Sequence, residues 1–179
     1  KTVLAVSRRG KTLAFRLDDG TILELHLRMS GRLRWQTEPG WGPHTRFVLA
    51  FDGACLLCID PRRFATLAIR RDPPPRPPIP DPLRSLPADR LMELARRRRL
   101  PVKSFLLDQR FIAGIGNIYA CEILHASGVH PGQAAGTLTE AAWIRIGSAA
   151  KAILREAVSC RGTSISDWRD LFGRPGAYQ

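Results

Sequence analysis

A proline-rich stretch divides this chain into two parts that cannot share one continuous element of secondary structure. Residues 71–82 read RDPPPRPPIPDP and hold half of the chain's 14 prolines. Proline lacks the amide hydrogen that helices and sheets both use, so neither element can run through this stretch. We therefore predict a linker over residues 72–86, with one domain before it (1–71) and another after it (87–179).

The two predicted domains differ in their hydrophobic patterns. Before the linker, β-rich runs flank the turn signals DDG (18–20) and DG (52–53), which are typical of hairpins. With the run TLAIRR (66–71) they predict an antiparallel β-sheet or sandwich. After the linker, apolar residues recur at helical spacing in four segments, which are 87–99, 102–109, 117–128 and 139–158. The predicted fold class is α+β, an antiparallel β-sandwich followed by a helical domain.

The charge of the chain indicates a polyanionic partner. The 28 Lys+Arg exceed the 16 Asp+Glu, which gives a formal net charge of +12 at pH 7. Most of the basic residues are arginines, whose planar fork suits phosphates and base edges, although a GC-rich genome would also favour arginine over lysine. No apolar run approaches the roughly 20 residues that span a bilayer, and nothing at the N-terminus resembles a signal peptide. We predict a cytoplasmic, nucleoid-associated protein with no membrane partner.

The four cysteines do not predict a metal site. Cys55 and Cys58 form a C-x-x-C, but zinc needs a second pair of ligands, and Cys121 and Cys160 are isolated in sequence. The surrounding ACLLCIDP is typical of a strand, so we interpret Cys55 and Cys58 as small buried hydrophobes, with zinc binding as the alternative. We expect no metal and no cofactor in this chain.

A glycine turn precedes the third helical segment. Gly114 and Gly116 come just before Asn117, where an apolar, helix-like run begins. One interpretation is a plain turn between helices, with Asn117 as an ordinary N-cap. The other is that the exposed amides of the helix start bind a phosphate. The turn alone favours neither interpretation.

Two further stretches place an apolar side chain among arginines. HLRMSGRL (26–33) holds Met29 in a turn region, and DPRRF (60–64) places Phe64 directly after two arginines. Proteins that open a duplex hold its phosphates with cations and insert an apolar wedge between base steps. Burial of Met29 and Phe64 in the core, with the arginines solvated, is the alternative.

Taken together, these stretches resemble the formamidopyrimidine-DNA glycosylase and endonuclease VIII family of base-excision repair enzymes. The motifs RRGK, HLRMSGRL, DPRRF, LLDQRFIAGIGNIYACEIL, HP, GTS and GRPGAYQ follow the family's order over nearly the whole chain. The resemblance implies a helix-two-turn-helix motif in the helical domain, and damaged double-stranded DNA as the partner. GRPGAYQ (173–179) is similar to a loop that covers an oxidised purine, which favours the formamidopyrimidine branch.

The resemblance also implies roles for individual residues. Lys11, the candidate catalytic residue, matches a lysine that contacts the phosphate beside the flipped nucleotide and takes part in acid–base steps. His26 matches a second phosphate contact. Met29, Arg62 and Phe64 match a trio that fills the void left by the extruded base, with Arg62 facing the orphaned base. The other implied DNA contacts are His44, Arg99, Lys103, Gly116 and Asn117.

The sequence departs from the family pattern at both of its ends. The family's nucleophile is the amine of an N-terminal proline, whereas this chain begins KTVLAVSRRGK, and no four-cysteine zinc finger follows GRPGAYQ. We interpret the chain as a fragment of a monomeric, bifunctional DNA glycosylase/AP lyase for oxidised purines, with zinc expected in the parent's C-terminal segment. An exposed Lys11 with an ordinary pKa of about 10.4 would be a weak nucleophile. We therefore expect this chain to bind DNA without excising bases.

Two other functions remain as alternatives to the repair enzyme. One is a non-catalytic module that recognises damaged DNA by phosphate contacts and wedge insertion alone. The other is a basic RNA-associated or ribosome-associated protein that uses the same glycine turn. The order of the motifs favours the repair enzyme over both alternatives.

Overall fold

Seven strands precede four α-helices in the computed structural model, which describes residues 1–38, 40–71, 78–164 and 168–178. The strands are β1 (Val3–Arg9), β2 (Thr12–Leu17), β3 (Thr21–His26), β4 (Arg32–Gln36), β5 (Thr45–Phe51), β6 (Ala54–Ile59) and β7 (Thr66–Arg71). The helices are α1 (Ala88–Ala95), α2 (Val102–Leu107), α3 (Asn117–Ala126) and α4 (Glu140–Ser159), with a short 3-10 turn at Ala135–Thr137. This order confirms the predicted α+β class.

The strands form two antiparallel sheets. The first sheet has the order β1-β2-β3-β7 and the second has the order β4-β6-β5. Both predicted hairpins form, β2–β3 around 18–20 and β5–β6 around 52–53. The predicted run 66–71 is β7, which pairs with β3. The sequence patterns did not single out β1 or β4, which extend the two sheets.

Side chains from both sheets pack into one core. Leu25 of the first sheet and Cys58 of the second are wholly buried, and Phe15, Leu33 and Leu56 pack around them. Burying an apolar side chain of this size stabilises the fold by roughly 1.5–3 kcal/mol. The packing of one sheet on the other is the β-sandwich that the sequence predicted.

The helices have a separate core centred on aromatic side chains. The ring of Phe105 in α2 lies 5.0 Å from that of Phe111 and 5.5 Å from that of Trp143 in α4, measured between centroids. On α4, Trp143, Ile146 and Ala150 are buried at helical spacing, so this helix turns one apolar face to the core. None of the described helices is both long enough and apolar enough to cross a membrane.

The chain divides into two compact units. The first consists of Lys1–Pro74 together with Ala157–Gln179, and the second is Pro75–Glu156. This division assigns the end of the chain to the first unit, whereas the sequence predicted a helical domain that runs to residue 179. A hydrogen bond within the first unit joins its two stretches, since the Trp35 amide donates to the Leu171 carbonyl at 2.8 Å. Of the predicted linker 72–86, residues 72–77 lie outside the described residues.

The C-x-x-C motif lies within β6 and is buried, as the sequence predicted. Residues three apart in a strand point to opposite faces, so Cys55 and Cys58 do not present their thiols to one ligand. Burial raises the pKa of Cys58 to about 11, and the charge of Asp60 adds to this effect. The described residues contain no group of three or more His, Cys, Asp or Glu side chains that could hold a metal ion.

Candidate nucleic-acid interface

Strand register brings several predicted site residues to one end of the first sheet. Lys11 lies in the turn between β1 and β2, where Arg9 pairs with Thr12. His26, the last residue of β3, pairs with Thr12 on one side and with Thr66, the first residue of β7, on the other. The turn that holds Lys11, the segment after His26 and the segment before Thr66 therefore share one end of the sheet.

Two apolar side chains are exposed in these segments. Met29 is 74% exposed and Phe64 is 45% exposed. The alternative in which both are core residues is therefore wrong, whereas their insertion into DNA stays a prediction. The Arg62 guanidinium lies 4.8 Å from the centroid of the Phe64 ring, close enough for a cation–π contact. The structure thus places the cation of Arg62 against the exposed apolar ring of Phe64.

Lys11 and His26 have shifted pKa values. Partial desolvation lowers the pKa of the exposed Lys11, which corrects the expectation of a lysine with an ordinary pKa. Burial lowers the pKa of His26, and the charges of Arg28 and Lys11 lower it further. The Nδ1 atom of His26 accepts the Arg28 amide hydrogen at 2.9 Å. The neutral ring therefore carries its proton on Nε2, where it can be donated to a phosphate oxygen.

Three predicted or neighbouring site residues of the first unit adopt left-handed backbone conformations. Arg28, His44 and Arg63 have φ values of 57°, 72° and 62°. Each such conformation costs a non-glycine residue roughly 1–2 kcal/mol, and strained residues of this kind cluster at functional sites. His44 is exposed directly before β5, and Arg28 and Arg63 each lie next to an exposed apolar side chain.

In the second unit, α3 begins at the glycine turn. Gly116 is the N-cap, with φ −114° and ψ 176°, and no side chain caps the helix start. The interpretation of Asn117 as the N-cap is therefore wrong, because Asn117 is the first helical residue and is exposed. The first amides of a helix have no partner within the helix and carry partial positive charge, so they are available to an anion.

Gln109, which the sequence did not single out, fixes the shape of this turn. Its Oε1 accepts the Gly114 amide hydrogen at 2.8 Å, and its Nε2 donates to the carbonyls of Leu107 and Ile115 at 2.9 and 3.0 Å. Gly114 has φ 99°, a conformation that favours glycine. A glutamine five residues before the first glycine of the turn is the signal that could have identified it.

The two remaining predicted contacts also belong to the second unit. Arg99 is exposed after α1, while its neighbour Arg98 lies 4.3 Å from the centroid of the Phe111 ring. Lys103 is half-buried in the first turn of α2, and its amide donates to the Pro131 carbonyl at 3.2 Å. Each unit thus contains part of the predicted set, with Arg99, Lys103, Gly116 and Asn117 in the second.

Comparison with known proteins gives matches to both parts of the chain. The family model of the formamidopyrimidine-DNA glycosylase N-terminal domain matches residues 1–67, and that of the formamidopyrimidine-DNA glycosylase H2TH domain matches residues 79–168. Formamidopyrimidine-DNA glycosylase of Geotalea uraniireducens is 39% identical over 187 residues, covering 99% of this chain and 68% of that protein. The enzyme of Chloroflexus aggregans is 40% identical over 191 residues, covering 100% of this chain and 68% of that protein.

Solved structures resemble the whole described fold. The crystal structure of the MutM (Fpg) protein from Thermus thermophilus has a TM-score of 0.88 and 39% sequence identity, covering 99% of this chain and 68% of that one. The complex between Lactococcus lactis Fpg and DNA containing an abasic site has a TM-score of 0.88 and 29% identity, with the same coverage of both chains.

Proposed function

Because the chain belongs to the formamidopyrimidine-DNA glycosylase family, we propose that it binds damaged duplex DNA in the base-excision repair of oxidised purines. The observation that carries the proposal is the end of the first sheet, where exposed Met29 and Phe64 accompany Lys11, His26 and Arg62. The lesion class is supported by a related Lactococcus lactis Fpg, whose structure holds DNA containing Fapy-dG, a ring-opened purine.

In this proposal, cations and amides hold the DNA backbone. Lys11 and the Nε2 proton of His26 contact phosphates next to the lesion, while the amides at Gly116 and Asn117 bind another phosphate. His44, Arg99 and Lys103 add further backbone contacts. The net charge of +12 supports this binding mode, which is expected to weaken steeply as salt rises.

The exposed apolar side chains act on the base stack. Met29 and Phe64 fill the space that an extruded nucleotide leaves, which offsets part of the cost of unstacking. Arg62, positioned over the Phe64 ring, presents its guanidinium donors to the edge of the unpaired base on the other strand. Insertion therefore favours a duplex that is already weakened at a lesion.

The proposed reaction is covalent amine catalysis. An amine attacks the sugar C1′ atom, the base leaves, and the resulting Schiff base allows elimination of the flanking phosphates. Lys11 contacts phosphate and transfers protons in this scheme, and its lowered pKa brings it closer to the pH at which proton exchange is efficient. Since Lys11 is not the attacking amine, we propose that residues 1–179 alone bind damaged DNA and leave the base in place.

No step of the proposal passes through a metal in this chain. The described cysteines do not fit a four-thiolate zinc site, because Cys55 and Cys58 lie on opposite faces of β6. The zinc site of the parent protein and its monomeric state stay predictions. We propose the bacterial nucleoid as the place of action, since that is where the duplex substrate lies.

The binding preference of residues 1–179 tests this function. Three fluorescent probes of equal length would be compared at several salt concentrations: duplex DNA with an abasic-site analogue, the same duplex intact, and a structured RNA. We expect the lesion-containing duplex to bind most tightly. Preference for the RNA would contradict the repair function and favour the RNA-associated alternative, and equal affinity for the two duplexes would contradict lesion recognition.

A further inference from the structure

A buried carboxylate, Asp60, lies where three loops of the first unit meet. The residue is 0% exposed and directly follows β6. Its Oδ1 accepts the Ser30 hydroxyl at 2.5 Å and the Arg62 amide at 3.2 Å, while its Oδ2 accepts the Ala65 amide at 2.6 Å. The Asp60 amide in turn donates to the His44 carbonyl at 2.9 Å. One residue thus connects segments that are distant in sequence.

The partners of the Asp60 carboxylate lie within two residues of the exposed apolar side chains. Ser30 directly follows Met29, and the two amides from the other segment belong to residues on either side of Phe64. The Asp60 carboxylate thus accepts hydrogen bonds from both of these segments at once. It therefore links the segment that carries Met29 to the segment that carries Phe64.

The carboxylate is ionised, which strengthens its hydrogen bonds. Burial by itself raises the pKa of Asp60, but the bonds from Ala65, Ser30, Phe64 and Arg62 outweigh it and lower the pKa overall. Hydrogen bonds to a charged acceptor are roughly twice as strong as neutral ones. A neutral amide at this position would present one acceptor fewer and a donor pair with no matching partner.

The loops that Asp60 joins contain strained residues. Arg28 and Arg63 adopt left-handed conformations next to Met29 and Phe64, and the Arg63 amide donates to the Asp60 carbonyl at 3.3 Å. Such conformations persist only where the surroundings fix them. Bonds from one buried group can fix loops whose own side chains, Met29 and Phe64, have no core to pack against.

We propose that Asp60 is a positioning residue that holds Met29 and Phe64 at a set spacing, so that the two enter a damaged duplex as one unit. The inference rests on the proposed function, because it assigns Asp60 a role in the insertion step. It predicts that Asp60 affects lesion recognition through Met29 and Phe64 and leaves phosphate binding unchanged.

The test compares Asp60→Asn with Asp52→Asn in residues 1–179. Asp52 lies exposed in the β5–β6 turn, so its substitution gives the same change in charge without touching the loops. Affinities would be measured for the duplex with an abasic-site analogue and for the intact duplex. A 2-aminopurine opposite the lesion would report insertion. We expect Asp60→Asn to lower the lesion preference and the fluorescence change roughly tenfold, with intact-duplex affinity unchanged and Asp52→Asn like the unsubstituted chain.

A double-mutant cycle measures the coupling between Met29 and Phe64, which a purely structural role of Asp60 would leave unchanged. Met29→Ala and Phe64→Ala should be non-additive in the unsubstituted chain and additive in Asp60→Asn, because the coupling passes through the carboxylate. If Asp60→Asn does not fold, Ser30→Ala takes its place, since it removes only the bond to the Met29 segment.

The outcomes separate this inference from the proposed function. If the unsubstituted chain prefers the lesion and Asp60→Asn, while folded, prefers it equally, the positioning role is overturned and the function stands. Equal losses on both duplexes, or additivity in both backgrounds, also overturn the positioning role. If the unsubstituted chain shows no lesion preference, both the function and the inference fail.

Discussion

At the scale of single residues, the protonation state of His26 follows from its place in the sheet. The backbone amide of Arg28 occupies Nδ1, and the cations of Arg28 and Lys11 lie close by. Protonation would remove the acceptor for that amide and add a third positive charge. His26 is therefore a neutral donor.

We expect the pKa of His26 to be measured below its ordinary 6.5. Because the unfolded chain then takes up the proton first, the folded state has its full stability above pH 6.5 and loses part of it as the pH falls through the folded pKa. NMR titration of the ring proton Hε1 gives the pKa, and His26→Gln should weaken the fall in unfolding temperature between pH 7.5 and 5. A midpoint at or above 6.5 would contradict the prediction.

Met29→Ala and Phe64→Ala should each reduce the preference for lesion-containing over intact duplex by roughly tenfold. The physical reason is that each truncation removes a fully buried apolar surface from the inserted state only. Binding to intact duplex, which depends on phosphate contacts, should persist with the same salt dependence. Fluorescence anisotropy measures the affinity for both duplexes and its salt dependence.

The matched control for the wedge is Ile69→Ala. Ile69 is 69% exposed on β7, so its truncation removes a similar apolar surface from the same unit without altering the loops. It should leave the lesion preference unchanged. If Met29→Ala or Phe64→Ala weakened binding to both duplexes alike, the wedge role would be incorrect.

At the scale of elements, hydrogen bonds fix the glycine turn that precedes α3. Gln109 bonds to both ends of the turn, and Ala113 donates to the Pro80 carbonyl at 2.8 Å. The amides at the helix start are therefore held in place before any ligand arrives. A phosphate that binds there requires little further ordering of the protein.

Asn117→Ala should make the salt dependence of duplex binding shallower by up to about one phosphate contact. The loss should be similar on damaged and intact duplexes, because a phosphate contact does not read the lesion. Plots of log affinity against log salt concentration measure the slope. Cys121→Ala, exposed one turn further along α3, is the control, and an unchanged slope in Asn117→Ala would argue against a phosphate at this site.

The elements show which features local sequence patterns can predict. Hairpin turns and helical spacing identified β2, β3, β5, β6, β7 and all four helices. β1 was not identified because most of its residues are exposed, and its sequence VLAVSRR therefore lacks the alternation of apolar and polar residues that marks a half-buried strand. α1 ends at Ala95, and Arg97 just beyond it has a left-handed φ of 59°. The predicted helix was longer because the arginines after Ala95 favour helices and give no stop signal in the sequence.

The site residues show the same limit. Short motifs and a family resemblance predicted Met29, Phe64 and Asn117, and their roles stay predictions. Asp60 and Gln109 were missed, because a buried polar residue is recognised by its partners and those partners come from other segments. In the sequence Asp60 reads as an ordinary turn residue before a proline.

At the scale of the whole molecule, the proposed activity of residues 1–179 depends on which amine can reach a sugar. Lys11 and the N-terminal amine of Lys1 are the candidates in the sandwich unit, and the Lys1 side chain forms an ion pair with Asp19 at 2.6 Å. Lys11 has a lowered pKa, but its proposed partner is a phosphate. DNA binding and base excision are therefore expected to separate in this polypeptide.

Borohydride trapping tests that separation. Residues 1–179 should form no covalent complex with duplex that carries oxidised guanine or an abasic site, under conditions where the duplex is bound. Gel-shift binding in the same samples is the control for occupancy. A trapped complex would contradict the prediction, and mapping the adduct would show whether Lys11 or the Lys1 amine had attacked.

The first unit is assembled from two stretches that lie on either side of the second unit in the sequence, and this affects how it can form during synthesis. Residues 1–74 leave the ribosome before the second unit, but the Leu171 carbonyl that accepts the Trp35 amide hydrogen is translated after the whole second unit. At about 5–20 residues per second, that delay is on the order of 10 s. During it, the edge of β4 offers unpaired backbone groups to chaperones or neighbouring nascent chains, while the second unit, being continuous in sequence, can fold without waiting.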